Sequence, residues 1–310
     1  MVIICLGEAL IDLVPPSGKH PGMSDFLTVQ PGGAPLNVAV GLSRLGCDSM
    51  FLGCLSEDSF GQRLAGVLDG EQITCIPGAP VSSPTRLAVI DHSNEAAPFR
   101  FYGDRPADSR LSTADVDYAF QLPDITGLYV SSLMMTNRHG RDVQQYAIDC
   151  AIERGIDVYT DPNPRPAAWS SREEMFDATW QLYNRCAVGK LSIDDARALG
   201  WPDKPDDLFA WWTARFRGDL FLTGGASGLW MMIREELVHV QSLAVQPVDP
   251  TGAGDASFAA LIAQIHDSRE VTVSKLQFSA ASGTLATLKR GAVAALPTTD
   301  DVNAFLSGWN

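Results

Sequence analysis

The chain opens on Val2, Ile3, Ile4, Cys5 and Leu6, five apolar residues in a row closed by Gly7. An unbroken run of that kind reads as a strand buried on both faces of a parallel sheet. Residues 9–14 continue extended with Asp12 as their one charge, and Phe26, Leu27, Val29 and Gln30 form a short strand ahead of Pro31-Gly32-Gly33. Beyond these glycines Asn37, Val38, Ala39, Val40, Leu42 and Leu45 read as a helix that Gly46 stops. A strand over 49–55 and a helix over 56–68 follow. The pattern then changes. Leu87, Val89 and Ile90, the polar residues 91–95, and Phe99, Phe101 and Tyr102 predict an antiparallel pair solvated on one side. Together with the similar stretch 13–30, this pair is expected to form a small projecting sheet, a lid made of about residues 13–30 and 85–105.

From residue 127 onward strands and helices alternate. Strands are predicted at 127–131, 157–160, 187–188 and 220–223, and helices at 141–154, 172–185, 192–199 and 206–216. Residues 229–233 and 237–240 read as a hairpin around Arg234-Glu235-Glu236. The apolar stretch containing Leu243, Ala244, Val245 and Val248 predicts one more strand, and three helices close the chain. Such alternation implies an α/β fold, a largely parallel sheet with helices on both faces. Ligands in such folds collect at the carboxyl ends of the strands. Asp12, Gly32-Gly33, residues 161–165, Thr223-Gly224-Gly225 and residues 252–255 all fall in such places.

Composition narrows the field. The 310 residues are 45% hydrophobic and 19% charged, as in an ordinary globular protein with material for a large core. The formal net charge is 23 − 37 = −14. That surface repels nucleic acid and anionic membranes, so neither is expected as a partner, although a local backbone nest can still hold an anion. The six cysteines contain no C-x-x-C pair and are expected to be reduced. The N-terminus lacks the basic region and cleavage site of a signal peptide, and no apolar run reaches the roughly 18 residues that span a bilayer. A cytoplasmic location is expected.

The chemistry concentrates at Asp249-Pro250-Thr251-Gly252-Ala253-Gly254-Asp255-Ala256-Ser257-Phe258. A Gly-rich turn that opens a helix leaves backbone N–H groups aimed at one spot with the helix dipole behind them, a ready anion site. Asp255 would repel a phosphate there and makes better sense as a base acting on a group beside it. The bland alternative is a helix N-cap with glycines as turn-formers. No G-x-x-x-x-G-K-[ST] occurs, and 252–257 only approaches the dinucleotide fingerprint G-x-G-x-x-[GA]. The five histidines show neither H-x-x-x-H nor H-x-H, so a metal-ligand cluster is not expected.

The turn resembles the C-terminal signature of the PfkB (ribokinase-like) carbohydrate kinases, D-T-T-G-A-G-D-x-F, departing from it at Pro250 and Ser257. Gly32-Gly33-Ala34-Pro35-Leu36-Asn37-Val38-Ala39 resembles the N-terminal signature G-G-x-x-x-N-x-A. Gly7-Glu8-Ala9-Leu10-Ile11-Asp12 is similar to the G-E-x-L-I-D opening of the fructokinase branch. Phe101-Tyr102 with Arg105-Pro106-Ala107-Asp108, Asp161-Pro162-Asn163-Pro164-Arg165 with Trp169, and Lys289-Arg290-Gly291-Ala292 add matches in family order over nearly the whole chain.

The resemblance implies one kinase domain over 1–310 with a ribokinase-like fold and a β lid, and ATP-dependent phosphorylation of a sugar hydroxymethyl group. It makes Asp255 the base and the N–H groups of Gly252, Ala253 and Gly254 the anion hole. Asp12, Gly32, Gly33 and Asn37 would hold sugar hydroxyls, with Arg105, Asn163 and Arg165 also facing the substrate. Lys190, Ser192, Thr223, Gly225 and Gly228 would serve the nucleotide. Asp195, in place of the family's Glu, would hold Mg2+ through water, and Asp249 with Thr251 a monovalent cation, K+. Ala280 stands where many relatives carry an Asn near the adenine. The implied substrate is D-fructose, with 2-dehydro-3-deoxygluconate or a riboside as alternatives. A non-catalytic sugar-binding regulator on the same fold is the reading from another class. The apolar residues Leu87, Val89 and Phe101 of the lid need cover, so a homodimer through the lid is expected.

Overall fold

A computed structural model describes residues 1–16, 19–91 and 99–308. Its strands are β1 (Val2–Leu6), β2 (Leu10–Val14), β3 (Thr28–Gly32), β4 (Asp48–Leu52), β5 (Thr74–Ile76), β6 (Leu87–Ile90) and β7 (Phe99–Tyr102). They continue with β8 (Ile125–Val130), β9 (Asp157–Thr160), β10 (Val188–Ser192), β11 (Asp219–Thr223), β12 (Leu229–Ile233) and β13 (Glu236–Val240). The helices are α1 (Ala34–Arg44), α2 (Ser59–Gly70), α3 (Thr113–Ala119), α4 (Arg138–Glu153), α5 (Arg172–Tyr183) and α6 (Ile193–Leu199). After them come α7 (Pro205–Thr213), α8 (Ala253–Ile265), α9 (Val273–Ala286), α10 (Ala292–Ala295) and α11 (Thr299–Ser307).

The larger sheet has the order β13-β12-β11-β10-β9-β8-β1-β4-β5, parallel except for the hairpin of β12 and β13 at one edge. The opening strand shows why its sequence is apolar throughout. Ile4 and Leu6 pack in one layer with Val143 and Ala147 of α4, Leu182 of α5 and Leu208 of α7. Ile3 and Cys5 point the other way, into a layer with Leu36 and Val40 of α1, Leu64 of α2 and Phe258 of α8. Side chains alternate across a strand, so helices on both faces leave no position for a polar residue.

The smaller sheet has the order β3-β2-β6-β7. Its outer pairs are antiparallel, while β2 and β6 run parallel, because the chain passes through the main body between them. This sheet begins at Leu10, before the expected boundary at 13. Of the polar turn expected at 91–95, residues 92–95 lie outside the described residues. Leu87, Val89 and Phe101 are half-buried.

Three expectations need correction. The stretch around 243–248 joins no sheet: β13 occupies the edge, and Pro247 and Pro250 lack the N–H groups a ladder requires. Strand β10 runs on to Ser192 instead of ending at 188, because Lys190 in its middle is buried against an acidic partner. Four helices close the chain, the extra one being the short α10. Two elements carry no clear periodicity and were not expected: β5, only three residues long, and α3, where Ser112 and Asp115 form a capping box. Among the described residues, no helix is long and apolar enough to cross a membrane.

Candidate active site

Where the parallel strands end, polar residues gather. Glu8 follows β1, Ser131 follows β8, Asp161 follows β9, and Lys190 lies in β10. These line a cavity of about 390 Å³ together with Asp12 of β2, Asn37 of α1 and Asp255 of α8. The small sheet covers it with Ala88, Ile90, Phe99 and Phe101.

The turn into α8 is held by backbone geometry and one carboxylate. Gly252 takes φ 82, and a Cβ there would lie 2.9 Å from the Cα of Ala292. Only glycine fits both demands. The Asp249 carboxylate accepts the Thr251 N–H and the Gly291 N–H, each at 3.0 Å, which fastens the turn to the loop before α10. Gly252 and Gly254 line the cavity. Ala253 differs from expectation: it faces a neighbouring groove, and its N–H already donates to the Pro250 carbonyl at 3.2 Å. Pro250 bends the chain back over the first turn of the helix and so supplies that acceptor.

Asp255 is 8% exposed, and its Oδ2 accepts a hydrogen bond from Asn37 Nδ2 at 2.7 Å. Burial pushes its pKa up to about 6, with Asp161 adding to the rise and Asn37, Lys190 and Arg165 opposing it. It does not cap the helix, which has no side-chain cap. Asn37 Oδ1 is buried with no partner among the described residues, an acceptor open to a hydroxyl donor. Lys190 Nζ donates to Asp161 Oδ2 at 2.5 Å. Burial disfavours the Lys190 charge, but Asp161 and Asp195 outweigh it and hold the ammonium above its ordinary pKa.

Asp12 is pushed up to about 7 by burial, against the pull of Arg165. The two glycines opposite have separate reasons. A Cβ at Gly32 would collide with the Asp12 carboxylate, and one at Gly33, where φ is 107, would lie 2.6 Å from the Glu8 carbonyl. Arg165 lines the cavity with its guanidinium 4.7 Å above the Phe99 ring, and Asn163 lines it through a turn in which its N–H donates to Asp161 Oδ1 at 3.2 Å.

Not every expected residue joins this cluster. Arg105 is exposed in a turn with φ 47 and is not part of the cavity wall. Ser192 caps α6: its Oγ accepts the Asp195 N–H at 3.0 Å and donates to Asp195 Oδ2 at 2.6 Å, while the Asp195 charge acts on Arg165, Asp161 and Lys190 of the cluster. Glu8 and Ser131 went unassigned from the sequence, and Asp161 was placed at a strand end without a role of its own. Each is the first or second polar position after a buried strand, which is the signal that could have found them.

A second cavity of about 520 Å³ lies on the other side of the turn. It is lined by Thr223, Gly225 and Gly228, by Leu243, Ala244 and Val245, and by Ala280 and Gly283 of α9. The stretch expected to be a strand is thus an apolar wall suited to a flat heterocycle. The two cavities share Pro250 and Gly254. A phosphate chain reaching over Gly254 from the groove would arrive beside Asp255.

Two cavities meeting at a helix N-terminus, with a buried carboxylate at the junction, define a phosphotransferase site. Residues 2–299 match the model of the pfkB family carbohydrate kinases, and the chain belongs to that family. It is a sugar kinase with the ribokinase-like fold. It is 31% identical to probable fructokinase-4 of Arabidopsis thaliana over 99% of its own length and 97% of the relative's. Among solved structures it is similar to the fructokinase of Vibrio cholerae bound to fructose, ADP and calcium, with TM-score 0.85, 28% identity and 98% of each chain covered. It is also similar to the ATP-bound fructokinase of Xylella fastidiosa, with TM-score 0.84, 27% identity and coverage of 99% and 98%.

Proposed function

We propose that this enzyme transfers the γ-phosphoryl group of ATP to the 6-hydroxyl of D-fructose. The observation that carries the reading is Asp255 at the junction of the two cavities, hydrogen-bonded to Asn37. In this reading ATP lies in the groove of Thr223, Gly225 and Gly228, and the sugar fills the cavity under the small sheet. Asp255 takes the proton of the attacking hydroxyl. The N–H groups of Gly252 and Gly254, with the dipole of α8 behind them, meet the charge that develops on the transferred phosphoryl. Asp12, Asn37 and the turn at Gly33 hold the other hydroxyls.

Charge favours a neutral sugar over a sugar acid. Glu8, Asp12, Asp161 and Asp255 face the cavity, against Arg165 and a Lys190 already paired with Asp161. A substrate carboxylate would meet net repulsion there. Among the described residues no three His, Cys, Asp or Glu side chains gather as metal ligands. That suits Mg2+ arriving on the ATP phosphates with its waters, the usual manner for this ion. K+ would sit beside Asp249 and Thr251, whose turn it would stiffen.

The same reading makes residues 1–310 one kinase domain with the small sheet as a lid and as the dimer surface. Exposed Met23, Phe26 and Tyr102 at the sheet and its connections support that role. Six unpaired cysteines, five of them buried, suit a reducing cytoplasm. Coupled measurement of ADP release over fructose, ribose, 2-dehydro-3-deoxygluconate and nucleosides tests the substrate. Fructose is expected to give the highest kcat/KM, and a preference for the keto acid would overturn the charge argument.

A further inference from the structure

Among the described carboxyls that line the sugar cavity, Glu8 is buried and has neither a role in the mechanism above nor an ion-pair partner. Glu8 is 3% exposed and lines the sugar cavity. Behind it stands a rigid support. Ser131 Oγ donates to Glu8 Oε2 at 3.2 Å, and the Ser131 carbonyl is fixed by Gln144 Nε2 at 2.7 Å, from a side chain that is itself fully buried. The cation that acts on Glu8 is already engaged: Arg86 donates through two nitrogens to Asp108 Oδ2 at 3.0 and 2.7 Å. Among the described residues, then, the Glu8 carboxyl has a serine hydroxyl as its side-chain partner and no ion pair. Burial pushes it up to about 7, with Asp108 adding to the rise and a backbone hydrogen bond, Arg86 and the Ser131 hydroxyl opposing it.

A carboxyl in that position is costly unless something else donates to it. Sugar hydroxyls are the donors that this cavity admits. The charges acting most on Glu8 are Asp108 and Arg86, whereas those acting on Asp255 are Asp161, Lys190 and Arg165. Glu8 is hydrogen-bonded to Ser131 after β8 and Asp255 to Asn37 of α1, so the two acids have separate partners, and Asp255 with Asn37 is committed to the reacting hydroxyl. We propose that Glu8 is a specificity-determining residue that accepts a hydrogen bond from a sugar hydroxyl other than the one phosphorylated. This inference rests on the sugar-kinase reading with fructose as substrate.

The test compares the wild type, Glu8→Ala and Glu8→Gln on D-fructose and on its 1-deoxy, 3-deoxy and 4-deoxy analogues. Glu8→Ala is expected to raise the KM for fructose by about 10- to 100-fold while the KM for ATP stays within about twofold. Glu8→Gln keeps an acceptor oxygen and is expected to recover much of the loss. One deoxy analogue should give the wild type and Glu8→Ala the same KM, and the missing hydroxyl names the contact. An unchanged KM in both variants overturns the proposal, as does a loss of equal size on fructose and all three analogues, the mark of a scaffold residue. Should the wild type ignore fructose, that substrate reading fails by itself. The same variants tested on the sugar it does accept still decide the role of Glu8.

Discussion

Replacing Asp255 by Asn should move activity and stability in opposite directions. The carboxylate is 8% exposed and titrates near 6, against 3.8 in the ordinary case, chiefly because of burial. Its raised value means the folded protein binds the proton more tightly than the unfolded chain. Stability therefore declines as pH rises from about 4 to 6, and above 6 the full cost is present. The difference of about two pH units corresponds to about 3 kcal/mol. At pH 7.5 the ionised form prevails by about 30 to 1, so almost every molecule carries this cost and also a working base. The amide that replaces the carboxylate is isosteric, is uncharged and can still accept from Asn37. The variant should raise the unfolding free energy by up to about 3 kcal/mol at pH 7.5 and by little at pH 4. Turnover should fall by about 10²- to 10⁴-fold, the usual worth of a general base, with the KM for sugar nearly unchanged. Urea unfolding at the two pH values and steady-state kinetics read both quantities. Near-normal turnover would refute the role of base, and a variant less stable at pH 7.5 would refute the claim that the carboxylate is held at a cost.

Three further perturbations probe other parts of the site. Gly252→Ala places a side chain at φ 82 against Ala292, and should cost about 1–2 kcal/mol in stability and lower kcat more than the KM for either substrate; a normal kcat would exclude the turn from transition-state binding. Lys190→Met leaves Asp161 buried without its cation, at a cost of about 3–5 kcal/mol, and adding Asp161→Asn should recover much of it. Additive losses in urea titrations would mean the two do not act as a pair. Ala280→Leu narrows the groove and should raise the KM for ATP by about tenfold with sugar binding unaffected, as isothermal titration of each ligand would reveal.

The sequence made the periodic parts of this molecule legible. The alternation after residue 127 and the buried run at β1 carry their own periodicity, and the glycines at 32, 33 and 252 mark places where a side chain would collide with its neighbours. What escaped was set by distant contacts. Nothing local distinguishes the apolar residues of 243–245 from a strand, because their status depends on β13 already holding the sheet edge. Arg105 and Arg165 look alike in sequence, yet only Arg165 stacks on Phe99 and lines the cavity. Asp195 accepts the hydroxyl of Ser192 three residues earlier and its charge also reaches Lys190, a neighbourhood that the local sequence does not show. Glu8 stood inside a motif read for its neighbours, and its importance depends on Ser131, which is 123 positions away.

The cavity walls belong to two sheets: Asp12, Ala88 and Phe101 come from the smaller, and from the larger come Glu8 and Ser131, just past strand ends, and Lys190 within β10. A bound sugar is therefore itself a cross-link between them. Water satisfies the polar groups of either wall singly but does not tie one to the other. In the proposed reading the acceptor would help to assemble the pocket in which it reacts, and ATP held without it would have a less ordered enclosure around the γ-phosphate. Thrift with ATP, in such a design, is a property of the acceptor's span rather than of any one residue.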